Sequence, residues 1–284
     1  MKATTLPPNR SNLPAVVNVL RWTIWETFRQ ASASRIGMVM GTVTLIAIVF
    51  CAGIRVHGGY VERSPREILE FAPRDLELDD EQRQRAGVVF IEGEISFGFG
   101  LVRVAHARSA EDSVRFVQLI LAVAVAGTFG LLLALVWTAG FLPGFLEPQQ
   151  ATVLFTKPVP PGLLLAGKYL GTTAYVGVQA ALFVGGTWLA LGLATGVWLD
   201  AYWLAVPILI LQFAVFFAVS VLLAVLTRST TACLVGTVAF WFLCSAVNSH
   251  AIEQMVEGAG GGWSAAGWQV GYWLLPKPLD LYVL

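Results

Sequence analysis

The closest match to a phosphate-binding loop lies at residues 162–169, which read GLLLAGKY. A P-loop has the pattern G-x-x-x-x-G-K followed by Ser or Thr, because that hydroxyl binds the magnesium ion. Tyr169 occupies the hydroxyl position, and the residues between Gly162 and Gly167 are aliphatic. The segment therefore predicts no nucleotide site, and we expect no ATP hydrolysis by this chain.

The side chains that could bind a metal or act as acid or base are scattered. His250 and Glu253 could place two ligands on one helical turn, but no third ligand accompanies them. An acidic run at 75–81 has carboxylates suited to calcium, yet it lacks a loop-forming glycine, so a solvated face is the preferred interpretation. The remaining histidines, His57 and His106, are isolated. We predict no metal, no cofactor and no catalytic residue, so the chain is not expected to be an enzyme.

The elements that must carry any site are apolar. Of 284 residues, 56% are hydrophobic and only 13% are charged, about half of the roughly 25% that is usual in soluble domains. Uncharged stretches of 19 residues or more occupy 36–54, 116–146, 169–199, 201–227 and 229–252. About 20 apolar residues suffice for a helix to cross a bilayer. The sequence therefore predicts an all-α polytopic membrane protein with five transmembrane helices.

Several classes of protein are excluded by composition. The 18 basic and 18 acidic residues balance, so no basic field favours nucleic acid. The three cysteines, Cys51, Cys233 and Cys244, all lie in the uncharged stretches, where cysteine is typically a small hydrophobic residue. No Asp, Glu, Lys or Arg lies within those stretches either, which disfavours coupling of transport to protons or ions through an intramembrane carboxylate.

The distribution of Lys and Arg predicts the orientation. Basic residues concentrate before residue 36, between the second and third spans, and at Arg228. Because short cytoplasmic loops are enriched in Lys and Arg, we expect a cytoplasmic N-terminus and an inner-membrane location. The connection at 55–115 then lies outside, and its segment at 88–104 alternates as short strands do. With a charged helical or loop segment at 65–85, this connection predicts a small extracytoplasmic α/β insert.

An amphipathic helix is predicted before the first span, within an N-terminal region of residues 1–35. Apolar residues recur every three or four positions from Val17 to Ala31, with polar residues between them. This pattern is typical of a helix that lies in the membrane interface. We expect membrane lipid to contact it, with interfacial positions at Trp22, Trp25, Phe28 and Arg29.

The cytoplasmic connection at 142–168 has the most distinctive sequence. Glu147 and Pro148 can begin a short helix, since proline suits its first position, and the prolines that follow Lys157 end it. Its polar side chains could face another protein, while Phe155 could anchor it. The alternative is a loop that merely reverses the chain. The residues that could form such a contact with another protein are Glu147, Gln149, Gln150, Thr152, Phe155, Lys157 and Pro158.

Four segments together resemble permeases of the ABC-2 type, in particular the branch of copper-site maturation and sodium-export permeases. They read LRWTIWETFRQASASRIGMV, ATVLFTKPVPPGLLLAGKYLG, LTRSTTACLVG and LLPKPLDL. The resemblance covers nearly the whole chain, and the segment from Lys157 to Gly171 is its most specific part. Gly167, Lys168 and Gly171 match the family motif at the base of the third span.

This resemblance implies the membrane subunit of an exporter. A separate ATPase subunit would supply the energy through a coupling helix at 147–157, and two permease copies would form the working unit. The uncharged path would suit an amphiphilic substrate. The alternative function is a non-transport membrane scaffold whose 55–115 region binds a partner.

The count of spans differs from the family pattern, which has six. The tail at 253–284 contains a glycine-rich run, and its apolar segment at 263–275 is too short to cross a bilayer. Either the protein has five spans and an external C-terminus, or the sequence is truncated. Truncation before a sixth span is the expectation.

Overall fold

A computed structural model describes residues 13–62, 89–106, 110–139, 161–257 and 275–276. Helices occupy most of this part. They are α1 (Leu13–Ala33), α2 (Arg35–Ala52), α3 (Ala110–Ala139), α4 (Pro161–Thr195), α5 (Ala205–Thr227) and α6 (Thr230–Glu257). A short 3-10 helix, Asp200–Leu204, precedes α5. Strands β1 (Arg55–Glu62), β2 (Val89–Phe97) and β3 (Val102–His106) lie between α2 and α3.

The long helices have the length and composition of membrane spans. Four segments of the described residues qualify, namely α3, residues 162–195 of α4, residues 200–227, and residues 230–250 of α6. A fifth span is present if α1 and α2, which bend by 69° at their junction, are counted as one broken span. The protein is therefore an α-helical membrane protein with four or five candidate spans, which confirms the predicted class at that level.

Helix α3 begins six residues before the second uncharged stretch. Glu111 and Asp112 lie in its first turn, where carboxylates interact favourably with the positive end of the helix dipole. Charge at this end is therefore compatible with a helix that continues into the membrane. Between Leu121 and Gly130 the helix has π geometry, and Thr128 Oγ1 donates to the carbonyl oxygen of Val123 at 3.0 Å.

The described residues divide into two compact units. The first contains 13–41, 129–139, 161–180, 207–257 and 275–276. Its core is apolar and aromatic, with Phe213, Phe216 and Phe217 of α5 almost fully buried. The end of α3 packs against α6, and Trp241 and Cys244 of α6 join the same core. Since lipid is as apolar as these side chains, close packing rather than hydrophobicity holds the helices together.

The second unit contains 42–62, 89–106, 110–128 and 181–206. Its strands form an antiparallel sheet in the order β1-β2-β3, with Arg55 opposite Ser96 and Glu62 opposite Val89. The strands predicted between 88 and 104 correspond to β2 and β3, whereas β1 was not predicted. The predicted helical part at 65–85 lies outside the described residues.

Tryptophans also order the second unit. The ring of Trp188 lies edge-on to the rings of Trp198 and Trp203, with centroids 4.7 and 5.9 Å away. The Trp188 indole N–H donates to the carbonyl oxygen of Leu199 at 3.2 Å. Gly192 lies against the Trp198 ring, which a Cβ atom would approach to 2.5 Å. These contacts fix the turn between α4 and α5.

Candidate functional site

The predicted amphipathic helix is present as α1, and one of its faces is packed. Thr23 and Thr27 are buried, and the Thr27 hydroxyl donates to the carbonyl oxygen of Thr23 at 2.7 Å. This internal hydrogen bond satisfies the hydroxyl, so Thr27 can pack as a small side chain. Trp22 and Trp25 lie on the other face, 57% and 71% exposed. The face of α1 that carries the threonines is therefore the one that docks.

Two glycines of α4 form the surface on which α1 docks. A Cβ atom on Gly167 would approach Thr23 Cβ to 3.1 Å, and one on Gly171 would approach the Ile24 Cα to 3.1 Å. The glycines are four residues apart and so lie on one face of α4. Small residues at this spacing let helix backbones approach closely in membranes. We call the contact of 20–31 with 167–175 the α1–α4 junction.

Lys168 lies between these glycines and is only 6% exposed. Its ammonium group donates a hydrogen bond of 2.6 Å to Gln30 Oε1, and Gln30 Nε2 donates to Glu26 Oε1 at 3.1 Å. The Glu26 carboxylate also acts electrostatically on Lys168. A buried cation is tolerated only when it is paired or hydrogen-bonded. The Glu26, Gln30 and Lys168 side chains therefore form a polar connection between α1 and the base of α4.

The next residue of α4 makes contact with a different helix. The Tyr169 hydroxyl donates to the carbonyl oxygen of Ala214 at 2.8 Å, and its ring stacks on Phe217 with centroids 5.3 Å apart. Six residues further along α4, the Tyr175 ring contacts Phe28 edge-on, with centroids 5.5 Å apart, and Trp137, with centroids 5.2 Å apart. The base of α4 is thus fastened to α1, α3 and α5.

The structure places one predicted set of residues in the α1–α4 junction and one member of a second set beside it. Gly167, Lys168 and Gly171 are in the α1–α4 junction, and Phe28 reaches it through Tyr175. Trp22, Trp25 and Arg29 are exposed and point away from it. The candidate coupling residues lie outside the described residues, namely Glu147, Gln149, Gln150, Thr152, Phe155, Lys157 and Pro158.

Four partners of the motif were missed from sequence. Thr23, Glu26, Thr27 and Gln30 complete the junction. They form two pairs, Thr23 with Thr27 and Glu26 with Gln30, each four residues apart. The periodicity put Leu20, Ile24 and Phe28 on the apolar face of the predicted helix and put Glu26 and Gln30 on its opposite, polar face. A search for small or hydrogen-bonding residues at helical spacing would have found them, because such residues mediate helix contacts in lipid.

A second polar feature in the first unit lies on α6. Thr237, Trp241 and Asn248 recur at helical spacing and are buried. Within the described residues, the Thr237 hydroxyl, the Trp241 indole N–H and both amide atoms of Asn248 have no hydrogen-bond partner. Unpaired polar groups are costly in an apolar interior, so we expect an apolar substitution in this row to raise stability. From the sequence, these three residues were predicted only to lie in an uncharged membrane span, and no polar row was predicted there.

The His, Cys, Asp and Glu residues in the described ranges form no group of three that could hold a metal ion. The cysteines are free and buried. The chain matches no protein-family model, no curated protein sequence and no solved structure.

Proposed function

We propose that this protein is the permease subunit of an ABC-2 type exporter in the inner membrane, with its N-terminus in the cytoplasm. A separate ATPase subunit binds the segment at 147–157 and supplies the energy. Two permease copies form the path, and the uncharged spans favour an amphiphilic substrate. The chain itself has no catalytic role in ATP hydrolysis.

The observation that carries the proposal is the α1–α4 junction. Helix α4 begins at Pro161, directly after the proposed coupling segment in the chain. Its first turns contain Gly167, Lys168 and Gly171, which contact α1. A displacement of the coupling segment would therefore reach α4 first and then pass to α1.

The aromatic contacts extend this route. Tyr169 connects α4 to α5 through the Ala214 carbonyl, and Tyr175 connects it to α3 through Trp137. Rigid helices with discrete packed contacts can move as units when one of them is displaced. ATP binding would close the ATPase dimer and move α4 with the helices fastened to it.

The exposed face of α1 supports an interfacial position. Trp22 and Trp25 are exposed together with Arg29, and tryptophan and arginine are typical of the membrane interface. In this proposal α1 lies along the cytoplasmic leaflet. The strands at 55–106 then lie on the opposite side of the membrane.

Co-purification tests the proposal. The tagged chain should isolate an ATPase of the ABC class from its native membrane, and replacing 148–157 with a Gly/Ser linker should abolish that association. A Lys168→Met variant should keep the association and lose substrate-stimulated ATP hydrolysis by the complex. The linker variant must also retain the unfolding profile of the unaltered chain.

Two results would contradict the proposal. If the ATPase still co-purifies after residues 148–157 are replaced, that segment is not the site where the ATPase binds. Isolation of a partner bound to the strands at 55–106, without any ATPase, would instead support the membrane scaffold.

A further inference from the structure

A cavity of about 170 Å³ lies beside the first turns of α3. Residues from Glu111 to Leu119 of α3 form one wall, and Leu199, Ala201 and Tyr202 form the other. All of them belong to the second unit, so the cavity is separate from the α1–α4 junction. A single water needs only about 10–15 Å³ by the same measure. The cavity can therefore hold a group of several heavy atoms.

The inner end of the cavity is polar although it is buried. Gln118 is 4% exposed and Tyr202 is 3% exposed. The Tyr202 hydroxyl shares a hydrogen bond of 3.1 Å with Thr187. In contrast, the Gln118 amide nitrogen has no hydrogen-bond partner in the described parts of the chain. Because a buried unpaired amide is unfavourable, this lining favours a ligand that can hydrogen-bond over an apolar one.

The outer end of the cavity is charged. Glu111, Asp112 and Arg115 line it and are exposed. Two carboxylates and one guanidinium leave a net negative charge, which favours a cation. Each carboxylate has several acceptor positions and can receive a charge-assisted hydrogen bond from an ammonium group, and Arg115, with five N–H donors, is suited to a phosphate. The lining thus matches a zwitterion that combines a primary ammonium with a phosphate.

The cavity lies at the end of candidate spans. Glu111 is in the first turn of the span Ala110–Ala139, and Tyr202 is in the first turn of the span Asp200–Thr227. Trp198 and Trp203, next to this wall, are 45% and 43% exposed. Tryptophan is enriched where the membrane meets water. A ligand in this cavity would therefore be at the level of the lipid headgroups.

We propose that the cavity between Gln118 and Tyr202 binds the headgroup of an aminophospholipid of the phosphatidylethanolamine class. The ammonium lies by Glu111 and Asp112, and the phosphate lies toward Arg115. Gln118 hydrogen-bonds the headgroup at the inner end. This site is independent of whether the chain is an exporter.

Native mass spectrometry of the delipidated full-length chain in detergent tests the site. The chain is titrated with phosphatidylethanolamine, phosphatidylcholine and phosphatidylglycerol that carry identical acyl chains. Phosphatidylethanolamine should bind about tenfold more tightly than the other two lipids. The trimethylated ammonium of phosphatidylcholine has no N–H donors, and the headgroup of phosphatidylglycerol has no cation. Equal binding of the three lipids would overturn the proposal. If free phosphoethanolamine binds as tightly as the lipid, the natural ligand would not have to be a lipid, and that part of the proposal would be wrong.

Variants locate the binding in the cavity. Gln118→Met, which keeps the volume and removes the amide, and Glu111→Gln should each weaken phosphatidylethanolamine binding about tenfold. Glu111 is exposed, so its substitution tests the site without disturbing buried packing even if Gln118→Met disturbs it. Gln212→Met on α5, which does not line the cavity, is the matched control and should bind as the unaltered chain does. Unchanged binding by both cavity variants would overturn the proposal.

Discussion

The Lys168 ammonium at the base of α4 donates a hydrogen bond to the Gln30 side chain of α1 at 2.6 Å. The two residues are far apart in the chain, and each belongs to a segment with a distinct sequence pattern. Their contact joins the motif that follows the proposed coupling segment to the helix proposed to lie in the membrane interface. In the proposed mechanism, a movement of α4 would reach α1 through this contact.

A double-mutant cycle on Lys168 and Gln30 should show their coupling. Lys168→Met and Gln30→Leu each remove one partner, and we expect a coupling free energy of about 1–2 kcal/mol, since a hydrogen bond to a charged group contributes roughly 1.5–3 kcal/mol and less in membranes. SDS-induced unfolding in mixed micelles measures it. Strictly additive effects of the two substitutions would show that the contact contributes nothing.

Enlarging Gly171 should displace α1. A Cβ atom there would lie 3.1 Å from the Ile24 Cα, which is backbone and cannot rotate away. Gly171→Leu should therefore destabilise the chain by about 1–3 kcal/mol, as overpacking usually does. A Cβ atom on Gly162 of the same helix would meet nothing within 4 Å, so Gly162→Leu is the matched control. Equal unfolding profiles for the two variants would contradict the close contact.

Replacing Asn248 should stabilise the protein. Asn248 is 3% exposed, and neither amide atom has a partner among the described residues. Asn248→Leu removes the unpaired groups and keeps the volume, so unfolding free energy should rise by about 1–3 kcal/mol. Ser249 follows Asn248 and is exposed, so Ser249→Ala is the control and should change stability by less than about 0.5 kcal/mol. Destabilisation by Asn248→Leu would mean that the amide is paired.

Gly192→Ala should perturb the turn between α4 and α5. The added Cβ would meet the Trp198 ring at 2.5 Å, and that ring is held against Trp188. We expect a loss of about 1–3 kcal/mol and a change in tryptophan fluorescence. Gly41→Ala, in a helix and with nothing within 4 Å, should leave the fluorescence unchanged and stabilise the chain by up to about 1 kcal/mol, because alanine favours a helix over glycine. If Gly192→Ala changes neither the stability nor the tryptophan fluorescence, Gly192 does not pack against the Trp198 ring as described.

A fluorescent probe at position 25 should report the membrane interface. Trp25 is 71% exposed, whereas the native cysteines Cys51, Cys233 and Cys244 are buried. A thiol-reactive bimane should therefore label the new cysteine of Trp25→Cys selectively. Spin-labelled lipids with the quencher near the headgroup should quench it more than lipids with the quencher deep in the acyl chain. A probe at the buried Thr27, introduced by Thr27→Cys, should label slowly. Stronger quenching from the deep label would place α1 within the bilayer core.

The sequence predicted the class of fold and most helix positions because long uncharged stretches leave a chain few alternatives to membrane helices. It predicted the ends less well. Glu111, Asp112 and Arg115 are charged, so they were assigned to the insert, yet they form the first turns of α3. Charge excludes a residue from the hydrocarbon, not from a helix that projects beyond it.

The partners within the site could not be predicted in the same way. Periodicity gives the face of one helix but not the helix that packs on it. Glu26 and Gln30 appeared to be solvated, and their role depends on Lys168, which follows them by more than a hundred residues. Strand β1 was also missed, since its glycines, Gly58 and Gly59, weaken a strand pattern that its partner β2 restores.

The turn that joins β2 to β3 is fastened to α2. The Phe99 backbone N–H donates to the carbonyl oxygen of Gly53 at 2.9 Å, just after the last turn of α2. Phe97, before the turn, stacks on Phe50 of α2 with centroids 6.1 Å apart. The strands are therefore not a detachable module. A fragment cut at the membrane surface would leave a helix end without its cap and the turn without its support, so grafting this sheet onto another protein requires the end of α2 with it.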